Sequence, residues 1–186
     1  MSSTNTPPFP TPHRILTGHD STGKSIFLSD LPIEIEIARP EAASAHLGLI
    51  YTTNSVPVNL NNNADIDGFT ATQRAPFQLV TVGGTRLLIT DMMPNAEGLF
   101  HRTESVDFIT IMEGEVELEL DSGEKRRVRR GDTVVQRATM HKWRNISEND
   151  GWARMLCVLT SAEKVKLENG EVLSEDVSLL GIKSSD

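Results

Sequence analysis

The sequence predicts an all-β domain, a sandwich or barrel, on three observations. Short runs rich in branched and aromatic residues recur along the chain, turn signals built on Gly, Asp and Asn separate them, and no helical periodicity persists over any length. With 186 residues the chain can bury one sizeable core and is too short for two. The expected organisation is a disordered N-terminal arm over 1–12, one barrel domain with an N-terminal hairpin extension over 13–162, and a C-terminal tail over 163–186 that packs on the barrel or trails it.

Taken in order, Pro7, Pro8, Pro10 and Pro12 deny the arm a hydrogen-bonded ladder; the alternative is an arm that embraces a partner subunit. Arg14 to Thr17 and Ser25 to Ser29 are β-like, and Gly18 to Lys24 between them carries hairpin-turn residues, which makes His19 a turn residue rather than a ligand. Ile33 to Ile37 alternates as a half-exposed strand does. Pro40 to His46 reads as a helical turn or a loop, and Gly48 to Thr53 returns to β character. Asn59 to Gly68, with Asn61, Asn62 and Asn63, reads as a long polar loop, a lid or contact surface. Strands are then expected over Phe77 to Val82 and, after a Gly83-Gly84 turn, Thr85 to Asp91, with a Pro94-to-Gly98 loop delivering His101. Further strands follow over Phe108 to Met112, Val116 to Leu120, Arg126 to Val128, Thr133 to Gln136 and Ala153 to Thr160, and the tail holds a short strand or helix around Val172 to Leu180.

A net charge of -8 argues against nucleic acid as a partner, because phosphate neutralisation needs clustered Lys and Arg. The basic run Lys125 to Arg130 reads as the solvated face of a hairpin, or else as an anion-attracting rim or subunit contact. Cys157, the single cysteine, has no disulfide partner in the chain and reads as a small buried hydrophobe. No apolar run approaches the ~20 residues of a membrane helix, and Met1 to Thr11 lacks the apolar segment of a secretory signal. The cytoplasm is the expected compartment.

Alternation selects the side chains that can meet. His101, Thr103 and Asp107 share one parity, and Thr139, His141, Trp143 and Asn145 share another, so two strands of one barrel can aim two imidazoles and a carboxylate at its interior. Those groups suit a divalent metal or proton transfer near neutral pH.

The segment from Gly98 to Asn145 resembles the two conserved motifs of the cupin superfamily, double-stranded β-helix barrels of the jelly-roll kind. Gly98 matches the opening Gly of the first motif, His101 its first His, Asp107 its Glu and Gly114 its closing Gly, while Thr103 stands where a second His is usual. In the second motif Gly131-Asp132 open the run, His141 matches the His and Asn145 the terminal Asn. The wording of His101-Arg102-Thr103, Gly114-Glu115, Val135-Gln136-Arg137 and His141 to Asn145 is similar to small single-domain cupins of bacteria and of fungal polyketide-type gene clusters. The likeness spans Arg14 to Ala162 and departs at Ala138 and Met140, where Gly and Asn are usual.

The resemblance implies a cupin barrel with short flanking strands, paired as a homodimer, that takes a small-molecule substrate and no nucleotide cofactor. It implies His101, His141 and Asp107 as catalytic residues, the same three as ligands if one divalent metal (Zn, Fe, Mn, Ni or Cu) is bound, and Thr103, Thr139, Met140 and Trp143 as pocket residues. Thr103 reads equally as a β-former, Trp143 as a core aromatic, and Met112, Met140 and Met155 first as barrel packing. The missing second His and the shortened carboxylate favour acid–base chemistry over oxygen activation. The expected function is a lyase or isomerase reaction on an oxygenated polyketide-like compound, by dehydration, decarboxylation or cyclisation. The alternatives are a metal-dependent cupin oxidoreductase and a non-catalytic small-molecule-binding cupin.

Overall fold

Strands built from alternating apolar residues can bury only one face each, and here two sheets bury those faces against one another. In a computed structural model that describes residues 6–39 and 44–185, the larger sheet has six strands. In spatial order they are β3 (Ile37–Ala38), β4 (Ala45–Thr53), β5 (Thr85–Met92), β11 (Ala153–Ser161), β6 (Ser105–Glu113) and β9 (Thr133–Arg137), all paired antiparallel. The smaller sheet orders β10 (His141–Asn145), β7 (Glu115–Leu120) and β8 (Lys125–Arg129). Hairpins β1 (Leu16–His19) with β2 (Ser25–Leu28) and β12 (Val165–Lys166) with β13 (Val172–Leu173) flank them. The core between the sheets takes Ile109 and Ile111 from β6, Val116 and Leu118 from β7, and Met155 from β11. This is a mostly β, jelly-roll architecture, as the strand pattern predicts.

Each hairpin has its turn chemistry. Gly114, between β6 and β7, sits at φ +78°, and a Cβ there would stand 2.6 Å from the Trp152 carbonyl, so only Gly fits. On β7 and β8 the basic run is a solvated face: Arg127 forks onto Glu115 at 2.9 and 3.1 Å, and Lys125 pairs with Glu119 at 2.9 Å. Such exposed pairs stabilise by less than about 1 kcal/mol each.

Several expectations change. The polar loop over 59–68 is helical: a 3-10 turn over Asn61–Asn63 runs into helix α1 (Ala64–Arg74). Ile66 and Phe69, one turn apart, bury against the barrel, and Tyr51 of β4 stacks on Phe69 at 4.9 Å while donating its hydroxyl to Asp65 at 2.6 Å. Burying Phe69 contributes about 2–3 kcal/mol, enough to hold a short helix whose apolar face is only two residues wide. Phe77 to Val82 is not a strand; it is irregular, with Val80 buried and the Gln78 carbonyl taken by Arg86. Ile33 to Ile37 pairs only at Glu34 and at β3. Residues 40–43 of the expected turn and 1–5 of the arm lie outside the described residues, and His46 belongs to β4. The described part of the arm is docked: Arg154 donates to the Pro10 carbonyl at 2.8 Å and stacks over Phe9 at 4.7 Å. Beneath it Arg154 forks onto Asp91 at 2.6 and 2.7 Å, an ion pair buried on both sides. Met112 is exposed on the outer face of β6 rather than packed in the barrel.

Candidate active site

His141 opens β10, and the backbone of His101 pairs with it through two hydrogen bonds of 2.9 and 3.0 Å. The Pro94-to-His101 segment therefore runs as an irregular fourth strand beside β10, further tied by Gly98 N–H to the Trp143 carbonyl at 2.8 Å. Directly opposed residues of an antiparallel pair place their side chains on one face. The two imidazoles consequently meet, with ring centroids 4.3 Å apart.

Their protonation is fixed by the backbone. His101 Nδ1 lies 2.9 Å from the Leu99 carbonyl and His141 Nδ1 2.9 Å from the Thr139 carbonyl. A carbonyl only accepts, so each Nδ1 carries the ring proton and each Nε2 is left as a lone pair. Burial holds the His101 imidazole below its ordinary value against a smaller upward pull from the Leu99 bond. Burial, and then the neighbouring His101, push His141 down to about 3. Both rings are neutral at neutral pH.

Asp107 faces the same interior from β6. Directly across the ladder on β9 stands Gln136, whose Nε2 donates to Asp107 Oδ2 at 2.8 Å and to His141 Nε2 at 3.0 Å. Ser105 donates to Asp107 Oδ1 at 2.5 Å, and Thr103 Oγ1 lies 2.8 Å from Ser105 Oγ and 3.4 Å from the carboxylate. Burial raises the Asp107 carboxyl, and these hydrogen bonds oppose the shift.

His101, Thr103, Asp107, Gln136 and His141 line one cavity of about 350 Å³ whose remaining wall is mostly apolar, including Leu88, Met155, Cys157 and Trp143, with Ser44, Thr90 and Glu97 as its other polar members. That volume is at the small end for ligand sites. No Lys or Arg among the described residues lines it. Burial pushes the Cys157 thiol up to about 12, so it serves as wall rather than nucleophile. The tail contributes Leu179, Leu180 and Ile182 to the lining, from and just after a 3-10 turn over Ser178–Leu180.

The structure thus brings together His101, His141, Asp107, Thr103 and Trp143 and leaves out two expected pocket residues. Ala138 sits at φ +48°, the left-handed conformation that explains why Gly is usual there, and the turn resets the alternation before β10. Thr139 is left exposed, contributing its carbonyl alone, and Met140 is partly buried outside the cavity lining. Gln136 and Ser105 carried no site assignment from sequence. The double Val134-Val135 hides the parity of β9, and only its register with β6 shows Gln136 opposite Asp107.

The donor set does not fit the three-ligand metal site that the cupin resemblance implies. Among the described residues no three His, Cys, Asp or Glu side chains stand close enough to share one ion. Gln136 separates Asp107 from His141 and already occupies the His141 lone pair.

Residues 88–159 match the family model described as a cupin domain. Phomopsin biosynthesis cluster protein D of Diaporthe leptostromiformis is 38% identical over 87% of this chain and 85% of its own. Oryzines biosynthesis cluster protein J of Aspergillus oryzae is 37% identical over 91% of this chain and 93% of its own. A cupin-domain-containing oxidoreductase of Aspergillus ruber, fogC, is 42% identical over 82% of this chain and 73% of its own. With the jelly-roll sheets, the paired motifs and relatives matched along most of their length, this chain belongs to the small single-domain cupins that include these fungal cluster proteins.

Proposed function

We propose that the chain is an enzyme of specialised metabolism that moves a proton on a small oxygenated molecule, in a lyase or isomerase reaction. The observation that carries this reading is the His101 lone pair: neutral, aimed at an apolar cavity and free of the amide contact that occupies His141. His101 Nε2 takes a proton from a carbon next to a carbonyl, and the C–H electron pair moves into the carbonyl to give an enolate. The imidazolium so formed then returns the proton to another atom, completing isomerisation, or to a departing hydroxyl, completing dehydration. His141 does not polarise the carbonyl by donating, because its only N–H is given to Thr139. It positions Gln136 instead. Relatives that carry biosynthesis-cluster names support the metabolic setting.

The test needs no native substrate. β-Tetralone, a neutral ketone with an acidic CH2, is incubated with the protein in deuterium oxide under nitrogen with a chelator, and exchange is followed by NMR. We expect exchange about 100-fold above buffer, within the range of a positioned base, and its loss in folded His101→Ala. Equal exchange by both proteins would refute the reading. Relatives named as cupin oxidoreductases favour a second one, oxidation by a metal-loaded form. Turnover that appears only with added iron or copper and oxygen would replace the first reading by the second.

A further inference from the structure

Gln136 spends both amide hydrogens inside the protein, one on Asp107 and one on His141. Its orientation is forced, because a carboxylate on one side and an imidazole lone pair on the other both require a donor. The carbonyl end is left over. Gln136 is 4% exposed, lines the cavity, and its Oε1 finds no donor among the described residues. Buried acceptors are ordinarily paired, and an orphan favours whatever ligand supplies the missing hydrogen. The other contacts narrow that ligand further. Among the described residues the cavity lining offers no Lys or Arg to neutralise an anion, and Asp107 and Glu97 already contribute the acidic groups.

We infer that the cavity selects a neutral, hydroxylated, largely apolar molecule, a phenol, enol or alcohol, whose O–H is donated to Gln136 Oε1, and that it rejects carboxylates and phosphates. This rests on reading the cavity as the substrate site and makes Gln136 its specificity residue. The hydroxyl so held lies among the same polar groups as the His101 lone pair, as a proton-transfer reaction on the adjacent carbon requires.

The probes are β-naphthol, its methyl ether and β-naphthoate, three molecules with one ring system and different hydrogen-bonding groups. Their binding is measured by titration calorimetry to the wild-type protein and to Gln136→Met, which keeps length and loses the acceptor. We expect β-naphthol to bind at least about tenfold more tightly than the ether and the naphthoate, the scale on which a buried unpaired acceptor discriminates. In Gln136→Met the ratio between naphthol and ether falls to near one. Equal binding of naphthol and ether by the wild type, a preference for naphthoate, no binding of any probe, or a ratio unchanged in Gln136→Met each overturns the inference. Should Gln136→Met fail to fold, the wild-type series decides by itself. No proton transfer to His101 is needed for binding, so intact β-tetralone exchange with no hydroxyl preference removes this inference alone, and the converse removes only the proposed reaction.

Discussion

Replacing His141 by Gln removes a buried neutral imidazole, and the consequence is readable in the pH dependence of stability. The unfolded chain titrates such a histidine near 6.5, whereas in the fold burial and His101 hold it down to about 3. Below pH 6.5 the unfolded state therefore binds a proton that the folded state refuses. The stability that His141 contributes is complete above pH 6.5 and is lost progressively as the pH falls towards about 3. Each pH unit in that window costs about 1.4 kcal/mol, so the loss between pH 7.5 and pH 5.0 is about 2 kcal/mol. Asp107 acts in the opposite sense, since its raised carboxyl holds a proton better when folded, but it is present in both proteins and cancels in their difference. Urea denaturation of wild type and His141→Gln at the two pH values measures that difference. The wild type should lose about 2 kcal/mol more than the variant on acidification. Equal losses would mean that His141 is solvated or charged in the native state, and the reading of His141 as the neutral acceptor that positions Gln136 would fall with it.

Three further outcomes are expected. The rate of β-tetralone exchange should be flat above pH 7 and fall on acidification with a midpoint below 6.5, because burial lowers His101 and only its neutral form is a base; an inflection at or above 6.5, read from rates across pH 4–8, would contradict this. Asp91→Ala should cost about 3–5 kcal/mol in denaturant unfolding, because it strands the buried Arg154 guanidinium without its carboxylate. Ala138→Gly should stabilise the protein by about 0.5–1 kcal/mol on the same assay, the relief of a left-handed alanine exceeding the entropy that Gly adds to the unfolded chain.

The strands and the histidine pair were legible because each rests on local information. A period of two needs only neighbouring residues, and His101, Asp107 and His141 occupy spaced positions that the cupin motifs mark. What stayed hidden depends on partners distant in the chain. Helix α1 offers only Ile66 and Phe69 as apolar markers, and Phe69 becomes a strong anchor only because Tyr51 and Arg14 lie over it. Phe77 to Val82 has strand composition, yet the Gln78 carbonyl is claimed by Arg86 instead of a ladder. Thr139 and Met140 follow the parity of His141 on paper, and one left-handed residue at Ala138 undoes it. Gln136 became visible only through the β6–β9 register, which no alternation rule supplies.

The tail links these features to the chemistry. Leu179, Leu180 and Ile182 line the cavity, and paired backbone hydrogen bonds of 2.9 Å between Arg102 and Asp176, with Gln78 donating to the Ser184 carbonyl at 2.6 Å, hold the tail there. A segment remote from both histidines in sequence therefore forms part of the wall of the cavity they line. A weak, neutral base in a mostly apolar pocket accepts an uncharged substrate without first breaking an ion pair, but it holds an imidazolium only at a cost. Under the proposed function, such a site favours reactions in which the proton is handed back within the same visit, as in isomerisation, cyclisation or dehydration, over reactions that leave the enzyme protonated at the end.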